Sequence, residues 1–557
     1  MSTVIRSLFT YGIEVPSSII ALTAVVIVLA LIYFAALPKP IPGIPYNRRS
    51  ATRLFGDIPE LAAYRKRGAA IRLFWPDLAV KLDSPVAQFF LGPFAKPGVI
   101  ISDYRESRNL MTFRGRELKR GKMNNDGWAG LTPEHFIAME NDDERFRHTR
   151  SLVNDLMNIS FIQKVSAPTS YRTILNFVRL WQHKATIANG ASFQSTRDLG
   201  VLMYDIITAA AFDVHESESQ ITQDLQHLQT HKTITSMAKG DGADFGFPDL
   251  EVSGFQKAMI LISRSVRDSF IRPSPWLFHL WNNCRPSVRK VVALKNKVLQ
   301  SYIDHSCLRL LREGSDFVPR CAIDCIVSRE VAAAAKADRL PDLKSARLKD
   351  LILGYLLGGY DSTQSTLTFL VKHFGNEQEK QTILRRALHK AHAQAFSQRE
   401  QPTLQDILKV KVPYLDAFIE EVLRLSNPLE FVAKEASCDM NVLGYFIPKG
   451  TLLILTFSGA TFHRPGLPVD EEKRSPSCER QNIHAGDWGQ SEFPAHEFHP
   501  ERWLRESDEE SGSMEFDRGA GPFMSFTATL KVQCTNKKRL ERYGLLDDTD
   551  FVSGKLK

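Results

Sequence analysis

The run Ala346-Arg-Leu348-Lys-Asp-Leu351-Ile352-Leu-Gly-Tyr355-Leu356-Leu-Gly358-Gly359-Tyr360-Asp361-Ser362-Thr363 opens a segment whose apolar residues recur three and four positions apart as far as about Phe374. That period marks an amphipathic helix. Two adjacent glycines in its interior each cost roughly 1 kcal/mol relative to alanine, so something must offset them. Either another helix crosses closely there, or the missing side chains leave a groove over a flat ligand. On the second reading Asp361 and Ser362 place an acid and a hydroxyl at a local break in the helix.

Downstream, Glu421 and Arg424 sit on a helix read over Tyr414 to Leu425, at a spacing that puts both on one face. Alone, such a pair is a surface contact worth well under about 1 kcal/mol. Pro500-Glu501-Arg502-Trp503 and Gly521-Pro522-Phe523-Met524-Ser525-Phe526 follow. Four short motifs in this order and at this spacing resemble the last third of a haem-thiolate monooxygenase of the cytochrome P-450 family, microsomal type. The resemblance extends over residues from roughly 45 to 526.

It implies a mainly α fold with small β-sheets behind an N-terminal transmembrane helix. By the same resemblance Gly358 and Gly359 border the haem, and Asp361, Ser362 and Thr363 form the oxygen-activating motif. Ser362 replaces the usual threonine, keeping the hydroxyl that bonds dioxygen but losing the β-methyl that restricts its rotamer. Glu421, Arg424 and Arg502 become a structural network behind the haem, in which a planar guanidinium bridges groups that lysine could not. Two further cations map to haem propionates. Arg150 lies in Glu144-Arg-Phe146-Arg-His148-Thr-Arg150, where Phe146 replaces a tryptophan, so that Arg150 with His148 must carry the contact; Lys434 stands where a second arginine is usual.

The family's haem loop runs Phe-x-x-Gly-x-Arg-x-Cys-x-Gly, and here the pattern breaks after Phe526. The chain continues Thr527-Ala-Thr-Leu-Lys531-Val-Gln-Cys534, with no glycine before Gly544, and Cys534 is one residue too far from Phe526. Cys534 is nevertheless the metal-ligand candidate, being the only cysteine after the Pro500 to Trp503 motif. Either the sequence is a misread or frameshifted product of a gene that encodes the loop, or it is a truncated protein. The first gives an oxidoreductase that inserts one oxygen atom from dioxygen into a hydrophobic small molecule. The second gives a non-catalytic family member that binds no haem.

The N-terminus bears on location. Val15 to Leu37 carries no charge, and such a stretch at 1.5 Å per residue covers the roughly 30 Å hydrocarbon core. Lys39, Arg48, Arg49 and Arg53 follow it, whereas Arg6 before it is opposed by Glu14, a bias that leaves the bulk of the chain in the cytosol. The expected division is 1–14 lumenal, 15–37 transmembrane anchor, 38–50 proline-rich hinge, 51–526 haem monooxygenase domain and 527–557 atypical tail. The location is then the endoplasmic reticulum membrane, single-pass. Pro38 to Pro45 reads as a stiff extended spacer.

Composition narrows the partners. The net charge of +8 comes from Lys and Arg dispersed among acidic residues, not gathered into a stripe, which argues against nucleic acid. A basic surface suits an acidic partner, and the resemblance implies a membrane-bound, NADPH-dependent flavoprotein reductase. Seven irregularly spaced cysteines read as a reducing-compartment pattern; Cys321 and Cys325, four apart, read as small residues on one helix face. Strand-like pieces are short: Val99 to Ser102, Val442 to Ile447 and Thr451 to Thr456.

Overall fold

Apolar residues at three- and four-residue spacing become helices throughout the chain. The computed structural model describes residues 17–523 apart from 68–72, 231–243, 249, 271, 273, 480–491 and 508–511. The helices that frame the site are α1 (Ser17–Ala36), α2 (Glu144–Ser151), α3 (Thr196–Phe212), α4 (Gly254–Phe270), α5 (Pro286–Glu313), α6 (Ala322–Lys336), α7 (Ala346–Asn376) and α8 (Pro413–Leu425). Their starts are written in the sequence. The Ser345 side chain accepts the Leu348 amide proton at the head of α7, and Pro286 and Pro413 open α5 and α8 where a missing N–H is harmless.

Helix α7 lies in the middle of a cluster made with α3, α4, α5 and α6. Ile207, Met259, Ile262, Leu299, Ile303, Ile326, Leu351, Ile352 and Leu356 are all buried in it. Helices α3 and α7 cross closely because Gly359 has no side chain, for a Cβ there would lie 2.5 Å from Ile207 Cδ1.

A five-stranded sheet flanks the helices, in the order β1 (Val86–Phe89), β2 (Gly98–Ile101), β7 (Leu452–Thr456), β4 (Phe431–Ala436), β3 (Leu118–Lys119). Only β2 and β7 run parallel; Leu118 opposes Ala436 and Lys119 opposes Glu435 across β3 and β4. Val442 to Ile447, read from sequence as one strand, is a hairpin instead. Strands β5 (Met440–Val442) and β6 (Tyr445–Ile447) pair across Leu443 and Gly444, both at positive φ (49° and 82°) as a tight reversal requires.

The proline-rich segment after α1 lies against this sheet. Ile41 and Ile44 are buried, and the Gln88 amide holds the backbone of both, donating to Ile41 O (2.9 Å) and Ile44 O (2.7 Å) and accepting from Ile41 N (2.8 Å). Phe94 N donates to Ala36 O at the last residue of α1.

Candidate active site

Gly354, Gly358 and Ser362 are each four residues apart and therefore share one face of α7. The two adjacent glycines divide the two readings between them. Gly359 faces α3 and serves the close crossing, whereas a Cβ on Gly358 would meet nothing within 4 Å. The local break expected at Asp361 and Ser362 is absent, and α7 is unbroken from Ala346 to Asn376. The reason lies in the hydroxyl: Ser362 Oγ donates to Gly358 O at 2.8 Å, a bond back along the helix that leaves the helical path intact. Thr363 is exposed. The Asp361 carboxylate faces Arg267 of α4 at 3.4 Å, both side chains being well exposed.

The cations reach the site from three elements. The pairing of Lys119 with Glu435 brings the next residue of one strand, Arg120, beside the preceding residue of the other, Lys434. Arg120 Nη1 donates to Phe136 O (3.1 Å) and Met139 O (2.9 Å), and its guanidinium lies 4.8 Å from the Phe146 ring centroid. Arg150, on α2, lies 5.9 Å from the same ring centroid. All three are half-buried, and no described residue forms an ion pair with Arg150 or Lys434. Burial lowers the pKa of each; the Arg150 charge further lowers that of Arg120, and the Arg120 charge that of Lys434, against the opposing influence of Glu140. Like charges held together in a desolvated place without counter-ions are unfavourable until an anion arrives. His148 does not join them: its Nε2 lies 3.6 Å from Glu330 Oε2, in an acidic node that also takes Arg339 and Arg347.

Behind these elements, Glu421 is fully buried and fully engaged. Its Oε2 accepts from Arg424 Nε (2.8 Å) and Trp503 Nε1 (2.9 Å); its Oε1 accepts from Arg424 Nη2 (2.8 Å), Arg502 Nε (3.0 Å) and His499 N (2.9 Å). Burial alone would raise its pKa. The hydrogen bonds and charge of Arg424, then the charge of Arg502, outweigh burial and hold the carboxyl below its usual range. Arg424 also donates to Phe462 O and Ala495 O, each at 2.6 Å, tying α8 to the loop before Trp503.

Arg120 and Trp503 were missed from sequence for different reasons. Trp503 sits inside a motif whose evident signal is its arginine, Arg502. Arg120 carries no local signal, since its place beside Lys434 depends on strand pairing across more than three hundred residues. Phe526 and Cys534 fall within 524–557, outside the described residues. Cys321 is buried at the start of α6, with Cys325 one turn on, and no metal-binding cluster of His, Cys, Asp and Glu occurs among the described residues.

The family model for cytochrome P450 matches residues 77–465. The chain belongs to the cytochrome P450 family. It is 30% identical over 528 residues to the cytochrome P450 monooxygenase TRI13 of Fusarium sporotrichioides, covering 91% of this chain and 89% of that protein. It is also 30% identical over 520 residues to the cytochrome P450 monooxygenase GME11363 of Pestalotiopsis microspora, covering 92% and 88%. Among solved structures, retinoic acid bound cyanobacterial CYP120A1 aligns with a TM-score of 0.52 at 16% identity, over 84% of this chain and 82% of that one, a likeness of fold alone. This P450 is thus a monooxygenase whose cofactor is haem with an axial thiolate, supplied with NADPH electrons through a reductase. The described residues fit that cofactor. Its flat ring needs the open space over Gly358, and its two propionates need cations without other partners.

Proposed function

We propose that this P450 is membrane-anchored and inserts one oxygen atom from dioxygen into a hydrophobic small molecule of specialised metabolism. The observation that carries this reading is the open space over Gly358 on α7 together with three half-buried cations, Arg120, Arg150 and Lys434, that no described carboxylate pairs. Haem, when bound, supplies an iron at which dioxygen is reduced with electrons from NADPH. Arg120, Arg150 and Lys434 would hold its propionates. Ser362 Oγ, which donates to Gly358 O, would offer a hydroxyl proton beside the open space over Gly358, with Asp361 and Thr363 as the other proposed members of the oxygen-activating motif. Cys534 is the proposed thiolate donor, and Glu421, Arg424 and Arg502 are structural.

The proposed division of the chain is a lumenal 1–14, an anchor at 15–37, a hinge at 38–50, a cytosolic monooxygenase domain at 51–526 and the tail at 527–557. Anchoring in the endoplasmic reticulum is supported by the outward-facing apolar side chains of α1 and would bring the basic surface to a membrane-bound reductase. The similarity to monooxygenases of Fusarium sporotrichioides and Pestalotiopsis microspora supports the oxygen-inserting reading. The glycine-free run after Phe526 favours the second reading, a non-catalytic chain without haem.

The two separate in one experiment. The full chain is expressed with ample haem beside a version carrying Gly-x-Arg-x-Cys-x-Gly after Phe526, and both are reconstituted with an NADPH-dependent flavoprotein reductase and isotopically labelled dioxygen. The expected result is the red-shifted carbonyl band of a reduced haem thiolate, and one labelled atom in an oxidised product, from the loop-restored version. Failure of that version to take up haem although folded would select the non-catalytic reading. A thiolate band from the chain as written, lost in Cys534→Ala, would establish Cys534 as the ligand.

A further inference from the structure

Gly354 stands one turn before Gly358 on the same face of α7, about 6 Å along the helix axis. The space its missing side chain leaves is taken from outside the helix. A Cβ at Gly354 would lie 2.1 Å from Nε2 of His135, so the imidazole lies flush against the helix backbone. His135 is 7% exposed and stacks on Phe136 with ring centroids 4.3 Å apart. Its Nδ1 accepts the Ile137 amide proton at 3.1 Å. A ring nitrogen that accepts from a backbone N–H carries no proton, which fixes the tautomer and puts the proton on Nε2. Among the described residues, no hydrogen bond joins Nε2–H to an acceptor.

This is an unusual position for a donor. Leu353 and Leu357, beside Gly354 on α7, belong to the buried apolar core, and the Asp350 carboxylate one turn earlier is already taken by Glu134 N (3.1 Å) and Lys295 Nζ (3.4 Å). Burial first, and then the Arg120 charge, hold the imidazole neutral down to about pH 4, so it offers a hydrogen bond and not a cation. A neutral donor suits an uncharged oxygen. A carboxylate in the site would instead be drawn to Arg120, Arg150 and Lys434.

We infer that His135 is a specificity-determining residue, whose Nε2–H donates to a carbonyl, ether or hydroxyl oxygen of the substrate lying over the Gly354 to Gly358 strip. The inference rests on reading that strip as the floor of the substrate chamber. It narrows the hydrophobic substrate to one that already carries an oxygen acceptor.

The test uses two probes of nearly equal shape, benzophenone and diphenylmethane, which differ in having or lacking the acceptor. Their dissociation constants are measured by equilibrium dialysis on the full, haem-supplied chain and on His135→Phe and His135→Gln. The wild-type chain is expected to favour benzophenone about fivefold to tenfold over what His135→Phe shows, the range one hydrogen bond supplies. His135→Gln, which keeps an N–H donor of similar reach, is expected to recover part of that preference. Equal probe ratios in wild type and His135→Phe overturn the inference while leaving the chamber intact. Loss of haem from His135→Phe with an unchanged probe ratio also overturns it, since the imidazole would then serve the cofactor. Binding of neither probe to the wild-type chain overturns the chamber reading along with it.

Discussion

Gly358 and Gly359 are the same residue in the same helix, one position apart, and their neighbours give them different tasks. A methyl group at Gly358 enters open space and gains about 1 kcal/mol of helix propensity. A methyl group at Gly359 meets Ile207, whose branched side chain has little rotamer freedom on α3, and overpacking of this kind costs typically 1 to 3 kcal/mol. Gly359→Ala should therefore melt below Gly358→Ala by a difference of about 1 to 3 kcal/mol in thermal unfolding of the haem-free chain. Equal melting temperatures would mean that Ile207 yields freely. Gly358→Ala should at the same time lower the haem retained per chain. His135 gives a second residue-scale expectation. Its folded pKa is depressed to about 4 from 6.5, by burial and then by Arg120. The unfolded chain thus takes up this proton between pH 6.5 and 4 while the folded chain does not, so stability is full above 6.5 and falls as pH drops through that window. The stake is of order 3 kcal/mol. Melting curves from pH 7 to 4 should fall less steeply for His135→Phe than for the wild type, and parallel curves would show that His135 protonates freely in the fold.

At the scale of elements, the question is what joins α8 to the loop that ends in Trp503. Glu421 receives five hydrogen bonds, and three of their donors, His499, Arg502 and Trp503, come from that loop. Arg424, 0% exposed, reaches the same loop through Ala495 O and Glu497 O. Removing one partner of a buried pair leaves the other charge uncompensated, which typically costs about 3 to 5 kcal/mol. Arg424→Ala is expected to give little folded protein, and a normal yield with a normal melting temperature would reduce the network to an ordinary contact. Arg502→Lys keeps the charge but cannot span Glu421 Oε1, Phe493 O and Pro494 O at once, so its loss should be smaller yet clear. The sheet supplies the other element-scale lesson. Strand β3 sets Arg120 beside Lys434 and so gathers two cations in one place, and no motif announces that pairing.

For the molecule as a whole, α1 is the outlier. Ile20, Leu22, Leu31 and Phe34 are each more than half exposed along it, whereas the helices packed around α7 bury their apolar side chains in the core. An exposed apolar helix of this length is stable where hydrocarbon replaces water. The full chain should pellet with microsomes and resist alkaline carbonate extraction, and its release into the supernatant would rule out a spanning α1. The family, the long glycine-bearing helix, the helical body with short strands and the grouping of Glu421, Arg424 and Arg502 were all legible in the linear chain. Those depend on short-range periodicity, capping and motif order, which a linear chain carries openly. It took tertiary packing to settle which glycine opens a groove and which admits a neighbouring helix, that His148 turns to Glu330, and that Arg120 and His135 come to the site. Each of those is a meeting between segments remote in sequence, fixed by strand register and helix crossing, and neither is encoded in the residues near the site.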